Sequence, residues 1–285
     1  MPSNLIAYDA LKTSLYSPGM RETVFTSAEL TVTDSACAEL CRLVYLPFEQ
    51  DAAAMARLKH DLDCGGFELR DTFNAAGTQA ILIFHPNSGQ TVLVFRGTQA
   101  DDVTDIGTDL AAWKAGSGIQ GQVHAGFKNA LAAVWPNILS KHASTLKDAV
   151  FTGHSLGAAL ATLAIADIAH RLQGKPSLVT IGSPAVGDLA FVNGLQQLQS
   201  RRYANCCDVV TKLPPEFMGF QHLGAARYID RTGRVNLHLT AGQEALDQQA
   251  ARMAYLLSNA WRWGHVGLRD LADHSPINYV RALWS

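Results

Sequence analysis

Residues 149–161, Ala-Val-Phe-Thr-Gly-His-Ser-Leu-Gly-Ala-Ala-Leu-Ala, constrain this chain more than any other stretch. A short apolar run with a β-branched and an aromatic member leads into Gly153-x-Ser155-x-Gly157. An Ala/Leu-rich, helix-favouring run follows it. The pattern predicts a strand, a sharp turn and a helix, with Ser155 at the tip of the turn. Such a turn strains the serine backbone and presents its hydroxyl outward. The flanking glycines fit a place where strand and helix approach too closely for a Cβ. The pentapeptide alone is weak, and its setting between strand and helix gives it meaning.

The rest of the chain is consistent with one α/β core. It has 285 residues, 48% apolar and 17% charged, enough to bury a sizeable interior. Short apolar runs at 67–73, 79–85, 91–96, 149–152 and 177–182 read as strands. A Pro86-Asn87-Ser88-Gly89 turn joins the second and third as an antiparallel hairpin. From about residue 90 to 210, strands alternate with helices, so the sheet is expected to be mostly parallel and covered on both faces. Asp34 and Asp51 read as N-caps of helices over 35–46 and 52–62, and residues 1–66 as a helical cover on the core. With no repeat or linker visible, a single domain over 1–285 is expected.

Several function classes are set aside on composition. A net charge of −2 leaves no electrostatic footprint for nucleic acid. The apolar run 156–166 is too short for a transmembrane segment. Gly116, Gly118 and Gly121 match a dinucleotide fingerprint, but no strand precedes them and no helix opens there. The five cysteines lack zinc-type spacing, and Cys37 and Cys41 read as small apolar residues on one helix face. No cofactor and no metal are therefore expected. With no basic-then-apolar leader apparent, the expected location is cytoplasmic, with export by a route that needs no signal peptide as the alternative.

A serine hydroxyl needs a general base in reach, and the base needs an acid to hold its tautomer. On a sheet of this kind they follow the serine in the order acid, then histidine. Asp208 lies just past a strand end, where open parallel sheets place functional loops. Asp230 sits within a hairpin and Asp188 reads as an N-cap. For the base, His274 lies in a polar loop before the last helix, with His265 as its rival. His170, His222 and His238 are placed less well. The oxyanion formed on attack needs N–H donors. Leu156, next after the serine, and Thr98, directly after the strand 91–96, are the expected pair.

These residues carry a family resemblance. The chain resembles the class 3, fungal-type triacylglycerol lipases, which have the α/β-hydrolase fold. The likeness rests on Val94-Phe95-Arg96-Gly97-Thr98, Val123-His124-Ala125-Gly126-Phe127, Gly153-His154-Ser155-Leu156-Gly157 and Ile181-Gly182-Ser183-Pro184. It continues through Asn205, Asp208-Val209-Val210, Leu213-Pro214-Pro215, the stretch 219–224, and Asp273-His274-Ser275 with Tyr279. It implies nucleophile Ser155, acid Asp208, base His274 and oxyanion groups at Thr98 and Leu156. It also implies a lid in the slot between Thr98 and the His124 motif. Residues 99–122, with Val103, Ile106, Leu110 and Trp113 at helical spacing, fill that slot. Either this segment is an amphipathic lid or it is a fixed surface helix.

The expected activity is hydrolysis of acylglycerol esters through an acyl-enzyme. The expected partner is a lipid or ester substrate, met at a lipid–water interface. Phospholipase A and short-chain or feruloyl-type esterase are alternatives on the same chemistry. A non-catalytic lipid-binding relative is the alternative outside it.

Overall fold

The structure is a computed structural model that describes residues 6–97 and 113–284. Its frame is an eight-stranded sheet in the order β1-β2-β3-β6-β7-β8-β9-β10. The strands are β1 (Glu68–Ala75), β2 (Thr78–His85), β3 (Gln90–Phe95), β6 (Val150–His154), β7 (Ser177–Ile181), β8 (Gln199–Asn205), β9 (Ala226–Ile229) and β10 (Val235–Asn236). β3, β6, β7, β8 and β9 run parallel, while β1, β2 and β10 extend the edges antiparallel.

Alternating side chains sort onto the two faces of this sheet, as the period of a strand requires. Leu82, Leu93, Phe95, Phe151 and Leu178 face one way. There they meet α4 (Ala125–Leu146) and α5 (Leu156–Arg171). Ile81, Ile83, Val92, Val94, Val150 and Val179 face the other way. They meet α2 (Asp34–Leu43), α3 (Ala52–Cys64) and α9 (Pro276–Leu283). Burying each large apolar side chain contributes about 1.5–3 kcal/mol. The remaining helices are α1 (Lys12–Tyr16), α6 (Leu189–Asn193), α7 (Ala241–Ser258) and α8 (Arg269–Ala272).

Two local expectations are corrected. The cap of α2 is Thr33, whose side chain accepts from the Ala36 amide; Asp34 is the first helical residue and binds Arg201 and Tyr203 instead. α4 runs through Pro136 to Leu146. Within 99–122, the described part is not helical. β4 (Lys114–Gly116) pairs antiparallel with β5 (Gln122–His124), and Gly118 and Gly121 serve the turn between them with positive φ. The helical spacing at Val103, Ile106 and Leu110, and Thr98 itself, lie outside the described residues.

Candidate active site

The turn after β6 is built as its sequence demands. Ser155 sits at φ 58°, ψ −128°, a conformation L-residues adopt only under constraint. The constraint is close packing on both sides. A Cβ on Gly153 would stand 2.2 Å from the Gly157 carbonyl oxygen, and one on Gly157 would stand 2.2 Å from that of Phe95. With both glycines, α5 can start immediately after the serine. The Leu156 amide, at the first position of α5, is one of the N–H groups a helix leaves without an intrahelical acceptor. It adds to the positive end of the helix dipole beside Ser155.

Two loops bring the partners in from far along the chain. Asp208 follows β8 and a Cys206–Cys207 turn, and His274 lies between α8 and α9. The His274 Nε2 is 2.9 Å from the Ser155 Oγ. Its Nδ1 is 3.0 and 2.9 Å from the two Asp208 carboxylate oxygens. A carboxylate only accepts, so Nδ1 carries the proton and Nε2 is left to accept from the serine hydroxyl. All three side chains are buried, Ser155 with 1% of its surface exposed.

The surrounding residues hold this array. Asp208 also accepts from the Val210 amide (2.9 Å) and from the Tyr279 hydroxyl (2.5 Å). Tyr279 in turn accepts from the Asn205 amide, and the Asn205 side chain donates to the Asp273 carbonyl, tying the two loops together. Burial and the neighbouring Asp208 charge push the Tyr279 hydroxyl well above its ordinary pKa, so it stays a donor. Behind the base, the Nε2 of His154 is 2.7 Å from the His274 carbonyl, and its Nδ1 is 2.9 Å from the Tyr45 hydroxyl. The carbonyl fixes the proton on Nε2, so Tyr45 donates to Nδ1. Burial holds His154 well below the usual histidine pKa, which keeps it neutral. The approach to Thr98 is held as well. Arg96 makes two bonds to the Glu49 carboxylate (3.0 and 2.7 Å), and a Cβ on Gly97 would run into the Tyr45 hydroxyl.

The other candidates are elsewhere. Asp230 accepts from Thr232 and Arg234 in the turn between β9 and β10, and Asp188 caps α6. His265 follows a turn closed on the Arg262 carbonyl. His170 and His238 are exposed, and His222 binds the Thr211 carbonyl. Sequence reasoning missed the roles of Tyr45, His154, Asn205 and Tyr279. Among the described residues, one set of groups could hold a metal: the ligand atoms of Cys206, Cys207 and Asp273 lie within 4.8 Å of one another. The Asp273 carboxylate is already taken by Arg269, Tyr8 and the Cys207 amide. A second cation would have to displace the guanidinium.

A mixed sheet of this order, with a serine at the strand–helix turn and a histidine–carboxylate pair behind it, defines an α/β-hydrolase fold. Comparison with known proteins narrows the class. Residues 92–218 match the family described as lipase (class 3). The chain is 32% identical over 189 residues to a lipase from Rhizomucor miehei, covering 59% of this chain and 51% of that one. It is 38% identical over 116 residues to a secreted mono- and diacylglycerol lipase of Fusarium solani, covering 38% and 34%. The solved structure of the Rhizomucor miehei triacylglyceride lipase superposes with a TM-score of 0.53 at 28% identity, covering 59% of this chain and 68% of that one.

The chain spans about half the length of the curated relatives it matches. The expected cytoplasmic location is corrected here: the relatives from Fusarium solani, Malassezia restricta and Penicillium cyclopium are secreted by name. Among the described residues, no helix is long and apolar enough to cross a membrane.

Proposed function

We propose that this protein is a serine carboxylic-ester hydrolase, a lipase acting on acylglycerol esters through an acyl-enzyme. The observation that carries the reading is the His274 Nε2 at 2.9 Å from the Ser155 Oγ, with Asp208 on the opposite ring nitrogen. The choice of acylglycerol follows the names of the Fusarium solani relative and of the solved Rhizomucor miehei structure.

In this reading His274 takes the Ser155 proton as the oxygen attacks the ester carbonyl. Asp208 holds the ring and stabilises the imidazolium that forms. The Leu156 amide donates to the developing oxyanion, an interaction worth about 10²–10³ in rate for a single donor. Thr98 is proposed as the second donor. The imidazolium then returns its proton to the departing alcohol. A water, activated by the same nitrogen, releases the fatty acid and restores Ser155. We also propose that residues 1–66 belong to the same domain as a cover, since Cys37, Leu40, Leu58 and Leu62 share one apolar cluster with the sheet.

Replacing the nucleophile tests the reading. Ser155→Ala should lower turnover of a p-nitrophenyl ester by roughly 10³-fold or more, with the far-UV spectrum and melting temperature kept. Near-normal turnover would refute it.

A further inference from the structure

The α7 helix is apolar on the wrong side for a helix that only packs inward. Its inner face is accounted for. Ala251 closes a cluster with Cys206, Cys207 and Tyr228, and Tyr255 joins one with Leu15 and Val266. Through Ala251, α7 lies directly on the turn that carries Asp208. On the opposite face, Leu246, Met253 and Leu257 recur at helical spacing and are exposed, Leu257 at 83%. Beyond the helix, Trp261 and Trp263 are 86% and 101% exposed.

That tip is built, not loose. The Arg262 amide donates to Asn259 and the His265 amide to Arg262. Lys12 and Val266 exchange backbone bonds with Gly264 and Ala10, pinning the turn to the N-terminal segment. Leaving two tryptophans in water from a pinned turn forgoes a large apolar contribution.

Charge says what would cover them. Between Asp247 and Asp270 the chain has no acidic residue, but it has Arg252, Arg262 and Arg269. Arg252 and Arg269 are paired with Asp270 and Asp273, while Arg262 is exposed between the two tryptophans. The paired segment 10–20 is also free of acids and carries exposed Lys12 beside exposed Leu11. Tryptophan rings at headgroup depth, aliphatic side chains beyond them and cations at phosphate level are what a bilayer surface accommodates.

We propose that the outward face of α7 and the Trp261–Trp263 turn form a docking surface for anionic phospholipid. The surface goes beyond the hydrolase reading and stands apart from it, since binding is measured without turnover.

The test is co-sedimentation of the Ser155→Ala protein with phosphatidylcholine vesicles, with and without phosphatidylserine. Binding should require phosphatidylserine and weaken with added salt. Trp261→Ala with Trp263→Ala should lower the partition coefficient roughly tenfold or more, from the lost apolar contact. Arg262→Glu should lower it as well and make what binding is left less sensitive to salt. Melting temperatures check that each variant is folded.

Equal binding by the double variant, or no binding to either vesicle, would overturn the proposal. So would sedimentation equilibrium showing a dimer that the double variant abolishes, because the face would then be covered by a second copy. None of these results bears on turnover by the wild-type protein, which is what decides the hydrolase reading.

Discussion

Tyr279 shows how a single hydroxyl serves the site. It donates to Asp208 and accepts from the Asn205 amide, both in a buried setting. Tyr279→Phe leaves an amide and a carboxylate oxygen each short of a partner. The expected loss is about 1–3 kcal/mol of stability. Turnover should fall with KM unchanged, because the hydroxyl orients the acid and lies behind it. Thermal melts and steady-state rates on one soluble ester check this, and a variant with wild-type values in both would contradict it. Tyr279, Asn205 and His154 stood in the family motifs, but their contacts were not legible beforehand. Ser155, Asp208 and His274 announce themselves by chain order, strand ends and a known spacing. Tyr45 and His154 meet across 109 positions, and nothing local in the sequence marks either as the other's partner. Their pairing follows from how α2 seats on the sheet, which only packing decides.

At the scale of elements, the sharp turn depends on the absence of two side chains. Gly157→Ala would drive a methyl group into the backbone of Phe95 and Arg96, at the end of the strand that leads to Thr98. Neither neighbour is a flexible side chain, so about 1–3 kcal/mol of stability should be lost. Gly116→Ala is the control, since nothing lies within 4 Å of its Cβ position. Equal melting temperatures for the two variants would contradict this account of the turn. The sheet strands and the Asp51 and Asp188 caps were legible because periodicity and capping chemistry are local signals. Trp113 ends the helical spacing read within 99–122, and the glycine-rich residues after it form the turn of the β4–β5 hairpin. At the start of α7, Gln243 is the third helical position and closes a capping box with Thr240.

For the molecule as a whole, buried histidines tie stability to pH. Burial lowers His154 and His124, and burial with the nearby Arg202 charge brings His222 down to about 3. In the unfolded chain each would titrate near ~6.5. Below that value the unfolded state binds more protons than the folded one, so stability is full above it and lost as pH falls. His154 alone should cost about 1.4 kcal/mol at one pH unit below its unfolded value. The melting temperature should therefore drop between about pH 6.5 and 5.5, and less steeply in His222→Gln. A flat profile would contradict it. At this scale the sequence indicated a mixed α/β architecture correctly, because alternating strands and helices allow few alternatives. It misjudged location, because the first residues of a chain are a poor guide to the compartment where relatives work.

The central claim is that His274 and Asp208 make Ser155 a nucleophile. Reaction with diethyl p-nitrophenyl phosphate, followed by peptide mass mapping, reads that property directly, because only an activated serine displaces the nitrophenolate. The account predicts one diethylphosphoryl adduct, on Ser155, and its loss in His274→Ala. An adduct on another serine, or undiminished labelling of Ser155 without His274, would contradict it.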